Sequence, residues 1–199
     1  VPRFLSLSNS GETLTLRRDN RTVATLSYDR APEAERFDGD RWTPIGRSSY
    51  EPKTRRSVPT TAFSLPDTPG PIHSTLKAAD ERIYLGGYTF SDPTVADRLE
   101  AARNRGVTVA VLLEGSPVGG TTNPQVRQVD RLIDAGIHVR TMGGPRTRYS
   151  FHHAKYAVVD DTVIVPSENW KPGGTGGHGS RGWGVVMQDP ELADHLASV

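Results

Sequence analysis

The chain has 199 residues, a formal net charge of +1, 35% hydrophobic residues and no cysteine. That length suits one domain with a sizeable core, or a small domain beside a larger one. The near-neutral balance excludes a chain that coats nucleic acid by overall charge, the absence of cysteine excludes a disulfide framework, a thiolate metal site and a Cys nucleophile, and no apolar run approaches the ~18 residues of a membrane span. Residues 3–29 read as three short strands, RFLSLSN, ETLTLRR and TVATLSYD, with period-2 alternation and breaks at Ser-Gly and Asp-Asn. Such a pattern predicts an antiparallel meander with one wet face. Residues 30–71 are rich in Pro, Arg, Asp and Ser, and PDTPGP at 66–71 reads as a linker. The expected organisation is a β-rich segment over 1–65, a linker over 66–71 and a second unit over 72–199.

From Ile72 the pattern changes. IHSTLKAAD predicts a helix and ERIYLGGYTF a strand; VADRLEAARNRG and PQVRQVDRLIDAG predict helices closed by Gly106 and Gly136. Each of these two helices runs into an apolar strand, VTVAVLLEG and IHVRTM. This helix-Gly-strand punctuation predicts an α/β fold with a parallel or mixed sheet and right-handed crossovers. HHAKYAVVD and TVIVPSENW form an expected hairpin turning at Asp160-Asp161, followed by the glycine-rich KPGGTGGHGSRGWG, a strand VVMQ and a last helix ELADHLASV.

The hairpin carries the chemistry. Lys53, Lys77, Lys155 and Lys171 are the only lysines, so a lysine inside a motif is informative. HHAKYAVVDD contains H-x-K-x4-D as His153, Lys155 and Asp160, with Ser167 and Asn169 downstream in PSENW. On a strand, residues i and i+2 share a face, so His153 and Lys155 point the same way. An imidazole beside an ammonium suits attack on a phosphodiester: the imidazole is the nucleophile, and the ammonium binds non-bridging oxygens as their charge builds. Asp160, of opposite parity and at the turn, is expected to be a structural anchor, and His152 to be structural. A metal site built on His152, His153 and Asp160 or Asp161 is disfavoured, since Lys155 would repel the cation. No metal or other cofactor is expected.

These residues resemble the HKD motif of the phospholipase D superfamily, trailed by a variant of its G-S-x-N. The resemblance covers residues 72–199, one half of the usual two-motif unit. It implies a mixed sheet flanked by helices, here with a small N-terminal antiparallel β segment. It also implies a phosphohistidine on His153, phosphate contacts from Lys155 and Asn169, and a leaving-group acid from a second HKD half. That half is expected from a missing C-terminal part of the parent, since the chain ends inside a helix, or from a homodimer mate. The substrate class is phospholipid or nucleic acid.

Three departures stand out. The DTVIV spacing is one residue shorter than the family pattern, Pro166 replaces a Gly, and Gly182 falls where the pattern has a Glu that orients the histidine. A three-residue loop or a bulge at Pro166 is expected to restore Asn169 opposite His153 and Ser167 opposite Lys155. Glu168 is the candidate carboxylate in place of the missing one. In the glycine-rich loop, whose backbone amides could line a substrate, His178 and Arg181 are candidate substrate contacts. Arg146 and Arg148 lie just upstream of the motif, Arg55-Arg56 reads as a solvated face, and Trp170 and Trp183 as core or site wall. LSLSNSGETLTLRRDNRTVATLSYD resembles the last strands of a lamin-tail-type β-sandwich, which implies a binding accessory. The competing reading is a catalytically incomplete fragment that acts as a binding module.

Overall fold

The computed structural model describes residues 7–33, 35–37, 40–44, 46, 48, 50–144 and 149–198. They form two compact units, Val1–Ser49 and Tyr50–Val199. In the first, β1 (Glu12–Arg18) and β2 (Arg21–Tyr28) pair antiparallel around Asp19 and Asn20. Both turn residues have positive φ, 48° and 62°, the geometry that two-residue hairpin loops require and Asn tolerates. A second ladder joins β3 (Glu35–Phe37) to β4 (Trp42–Pro44) within the stretch rich in Pro, Arg, Asp and Ser. Trp42 packs edge-on against Tyr28 at 5.6 Å. Most of the strand expected at 3–9 lies outside the described residues.

The second unit is built on a seven-stranded sheet. Its strands are β5 (Thr60–Leu65), β6 (Arg82–Gly87), β7 (Thr108–Glu114), β8 (His138–Met142), β9 (Tyr156–Val159), β10 (Thr162–Pro166) and β11 (Gly182–Gln188), in the spatial order β5-β11-β10-β9-β6-β7-β8. Residues 60–65, expected in the N-terminal segment, are therefore an edge strand of the main sheet. Here β6, β7 and β8 run parallel while β9, β10, β11 and β5 alternate antiparallel. The mixed sheet and the helix-Gly-strand units expected from sequence are both present.

Four helices complete the unit: α1 (Gly70–Lys77), α2 (Pro93–Asn104), α3 (Asn123–Asp134) and α4 (Pro190–Ser198). The α2 start is fixed by Asp92, whose carboxylate accepts from Thr94 N at 2.9 Å, with Pro93 next. Gly106 (φ +96°) and Gly136 (φ +74°) lie just past the ends of α2 and α3, in the left-handed region that stops a helix. The main core lies between the sheet and α1–α3 and includes Ile72, Leu76, Leu99, Leu132, Ala157 and Ile164; Val158, Val163 and Ala193 belong to a smaller core under α4. So β9 and β10 are buried on both faces. Arg55, expected on a solvated face, bonds the buried Asp189 (2.6 Å) and Glu191 (2.7 Å) at the start of α4. Among the described residues no helix is long and apolar enough to cross a membrane.

Candidate active site

One edge of the sheet gathers the C-terminal ends of β6, β7 and β10 and the start of β9 and β11, and the motif residues lie there. His153 and Lys155 sit just ahead of β9, in a segment outside any ladder, because the strand starts only at Tyr156. The strand expected over the whole motif is thus shorter, yet the pair still meets. Lys155 Nζ is 3.0 Å from His153 Nδ1, 3.2 Å from Nε2 and 2.8 Å from the His153 carbonyl oxygen. An ammonium can only donate, so the ring nitrogen facing it accepts. His153 is exposed and Lys155 half-buried. Burial pushes the Lys155 ammonium below its ordinary pKa, and the Glu168 carboxylate pulls it back up.

Tyr88, immediately after β6, forms the floor. Its ring lies 4.5 Å from the His153 ring by centroids and 5.6 Å from Lys155 Nζ, within cation–π range. Val118 N donates to Tyr88 Oη at 2.6 Å, and Phe151 packs edge-on against it at 6.2 Å. The approach to the motif is held by Glu114, a buried carboxylate at the end of β7 that accepts from His152 N (2.6 Å) and Ser116 N (2.8 Å). His152 itself is half-buried, and burial lowers its pKa.

The hairpin register departs from expectation. Val159 pairs with Thr162 across a two-residue turn at Asp160-Asp161, and the ladder ends at Ala157–Ile164. No bulge compensates, because β10 stays in register with β11 through Pro166–Gly184. Ser167 N donates to Trp183 O at 2.8 Å, and antiparallel N–H groups alternate sides. The side facing β9 is therefore where Pro166 has no N–H, and the β9–β10 pairing lapses before it. Without a bulge or a third loop residue, Asn169 is not opposite His153, and it is Glu168 whose charge acts on Lys155. Asn169 Oδ1 is buried with no hydrogen-bond partner, while its main-chain oxygen accepts from Lys171 N at 2.8 Å. Ser167 Oγ accepts from Trp183 N at 3.0 Å and so serves the strand end.

Asp160 lies at the opposite end of β9, seven residues and roughly 20 Å from His153 at ~3.3 Å per residue. Its carboxylate accepts from the backbone amides of Asp80 (2.9 Å), Glu81 (2.9 Å) and Arg82 (2.8 Å). It is an anchor between β9 and β6, and this separation removes any metal set combining it with His153. Burial raises its pKa, but the three amides outweigh burial and the net shift is downward. Stability from a lowered acid is present above its unfolded pKa, near 3.9, and is lost as pH falls through the folded value. Asp160→Asn is therefore expected to cost roughly 2–3 kcal/mol at pH 7 and to flatten the acid limb of stability, measured by urea melts between pH 3 and 7.

The glycine-rich loop is ordered by its own bonds. Backbone N–H groups of Lys171, Gly174, Gly176, Gly177, His178 and Ser180 all donate to carbonyls within residues 171–174 or of Asn169, so these amides do not face a substrate. Fully buried Thr175 ties the loop to Asp92 at 3.2 Å. Arg181 pairs with Asp67 and lies 5.0 Å over the Trp183 ring, and Trp183 is 61% exposed. His178 is exposed. Trp170 is core: it is fully buried and donates to Gly86 O at 2.9 Å. Arg146 and Arg148 lie outside the described residues. Sequence reasoning missed Tyr88 and Glu114; the Gly86-Gly87 pair at the end of a strand was the available sign of close packing there.

Residues 72–199 match the family model described as the PLD-like domain of cardiolipin synthase. Among solved structures, the phospholipase D family member Nuc from Salmonella typhimurium is similar, at 22% identity and TM-score 0.62 over 71% of this chain and 91% of its own. NucT from Helicobacter pylori gives 18% identity and TM-score 0.61 over 71% and 92%. Phosphatidylserine synthase from Haemophilus influenzae Rd KW20 gives 12% and 0.54 over 81% and 41%. No curated protein sequence matches the chain.

Proposed function

Because the chain belongs to the phospholipase D-like family of the cardiolipin synthase type, we propose that it is a phosphodiesterase working through a phosphohistidine on His153. The observation that carries this reading is the pairing of an exposed imidazole with an ammonium 3.0 Å away at a sheet edge. A ring nitrogen of His153 attacks phosphorus, and the bond to the leaving oxygen breaks as a second group protonates it. Water then attacks phosphorus while giving a proton to that same second group, and the phosphorus–nitrogen bond breaks to release His153. Lys155 neutralises the non-bridging oxygens in both steps. Asn169, which the resemblance implies as a phosphate contact, would have to donate its amide N–H to these oxygens. Arg181 and His178 remain candidate substrate contacts on the glycine-rich loop.

The substrate is a phosphodiester of a phospholipid or a nucleic acid. Hydrolysis of bis(p-nitrophenyl) phosphate in the presence of EDTA tests the reaction, and an acid-labile phosphoprotein trapped from labelled substrate tests the intermediate. Turnover abolished by EDTA, or a label stable to acid, would refute the mechanism. A chain inert in every assembly would instead favour the binding-module reading, which the glycine at 182 supports.

Two further outcomes follow from Lys155. Lys155→Ala is expected to cost about 2–4 kcal/mol of transition-state stabilisation, as removal of one preorganised donor does, read as kcat on the same diester. Because activity needs the ammonium, and burial lowers its pKa, the alkaline limb of kcat/KM is expected below the ~10.4 of free lysine. Activity is present below that limb and lost as pH rises through it. Lys155→Arg stays charged and should remove the limb; a limb that persists unchanged belongs to another group.

A further inference from the structure

The His153 ring is exposed, and among the described residues its one hydrogen-bonded neighbour is Lys155. An exposed imidazole outside any ladder turns about its side-chain bonds unless something packs against it, and a nucleophile has to be held near its line of attack. Tyr88 packs against it. The phenol ring lies 4.5 Å from the imidazole by centroids, at an interplanar angle of 60°. The same ring has Lys155 Nζ 5.6 Å from its centroid and Phe151 edge-on at 6.2 Å. One side chain therefore meets three residues of the segment 151–155.

Tyr88 is itself fixed at both ends. Its backbone emerges from β6, where Gly86 pairs with Tyr156, the residue after Lys155. A side chain at Gly86 would run into the Tyr156 ring, and one at Gly87 would sit 2.7 Å from Trp170 Cδ1. Neither glycine has a positive φ, so close packing is what keeps both positions bare. At the far end, Tyr88 Oη accepts from Val118 N at 2.6 Å. Val118 belongs to the loop after β7, where Ser116 N donates to Glu114, which also accepts from His152 N. This loop thus reaches the motif twice, through Glu114 at the backbone just before His153 and through Tyr88 at the ring of His153.

We infer that Tyr88 is a positioning residue: its ring holds the His153 imidazole and the Lys155 ammonium in one arrangement, and its hydroxyl serves the loop. A ring–ring contact and a cation–π contact share one platform. Loss of the ring therefore frees both partners, whereas loss of the hydroxyl frees neither. The inference rests on the phosphodiesterase reading only for its kinetic consequence; the ring contacts stand apart from it.

The test uses the full chain. With six histidines and six tyrosines, the His153 and Tyr88 ring signals can be assigned by NMR from their loss in His153→Ala and Tyr88→Phe. In the parent chain, Overhauser cross-peaks between the two rings are expected, and the side-chain couplings of His153 should report a single rotamer. Tyr88→Phe should keep that rotamer, while Tyr88→Leu should average it. On bis(p-nitrophenyl) phosphate, Tyr88→Leu is expected to lower kcat by roughly tenfold or more, as misplacement of a reacting group does, with little change in KM. Tyr88→Phe should recover most of that kcat. Tyr88→Met repeats the ring removal should Tyr88→Leu not fold. Missing cross-peaks in the parent, a His153 rotamer that stays single once the ring is gone, or a Tyr88→Phe as slow as Tyr88→Leu would overturn the assignment. His153→Ala separates the two failures: if it remains active the phosphodiesterase reading fails, and the His153 couplings decide this inference whether or not the chain turns over.

Discussion

His153→Ala is expected to abolish turnover of bis(p-nitrophenyl) phosphate, by roughly 10⁴-fold or more, the size of effect seen when a nucleophile is removed from a covalent mechanism. At 1.36 kcal/mol per tenfold, that is about 5.5 kcal/mol of lost transition-state stabilisation. The effect should exceed that of Lys155→Ala because the two residues differ in kind. Lys155 supplies one electrostatic contact, which water replaces in part, whereas no group can replace the bond His153 makes to phosphorus. The fold should survive, since His153 is exposed, outside any strand and, among the described residues, hydrogen-bonded to Lys155 alone. Equal Tm values with the rate at background would support the role. Activity within tenfold of the parent chain at unchanged Tm would end it.

The second large effect is expected on dilution. Phosphohistidine chemistry needs an acid for the departing oxygen and then a base for water while His153 is bonded to phosphorus, and one imidazole cannot hold both roles. No second H-x-K occurs in the chain. On the proposed mechanism the other histidine would come from a second copy across a two-fold axis, which apposes identical patches, or from a further half of the parent. Phe151 (46% exposed) and Val118 (79% exposed) flank Tyr88 beside His153, an apolar rim suited to such docking. For a homodimer, rate per chain should fall towards zero as light scattering reports dissociation. For a missing half, the chain should be inert at every concentration until that half is added. Full turnover by a demonstrable monomer would show the site complete without a partner.

The second unit was largely legible because its signals are local. Helices closed by Gly106 and Gly136, each running into an apolar strand, follow from glycine's access to positive φ and from burial of a parallel sheet on both faces. The His153–Lys155 pair was legible from spacing alone, although the strand expected to align them begins one residue later. What sequence could not supply was anything set across the sheet. Tyr88 and Glu114 reach the motif from the ends of β6 and β7, and the Gly86-Gly87 pair before Tyr88 signals close packing without naming what packs there. The hairpin register failed for a related reason: Pro166 was read as the site of a bulge, but the missing N–H faces a side where pairing has already stopped. Residues 60–65 fall in the stretch rich in Pro, Arg, Asp and Ser and carry little apolar pattern, because an edge strand needs only one buried face, which Phe63 and Leu65 provide.

The burial of β10 on both faces bears on how this hairpin tolerates insertion and deletion. In a strand with one wet face, loss of a single residue turns every polar side chain inward. In TVIV the adjacent Val163 and Ile164 serve the α4 core and the α1–α3 core respectively, while Val165 is exposed, so a one-residue slip exchanges aliphatic side chains at the two buried positions. The core is therefore tolerant of the length of this segment, while the residues beyond it are not: a slip there decides whether Glu168 or Asn169 falls in phase with His153. Changes in spacing at this point act on chemistry and leave folding almost untouched, which makes the segment between Asp160 and Ser167 a place where length variants should alter activity without a matching loss of Tm.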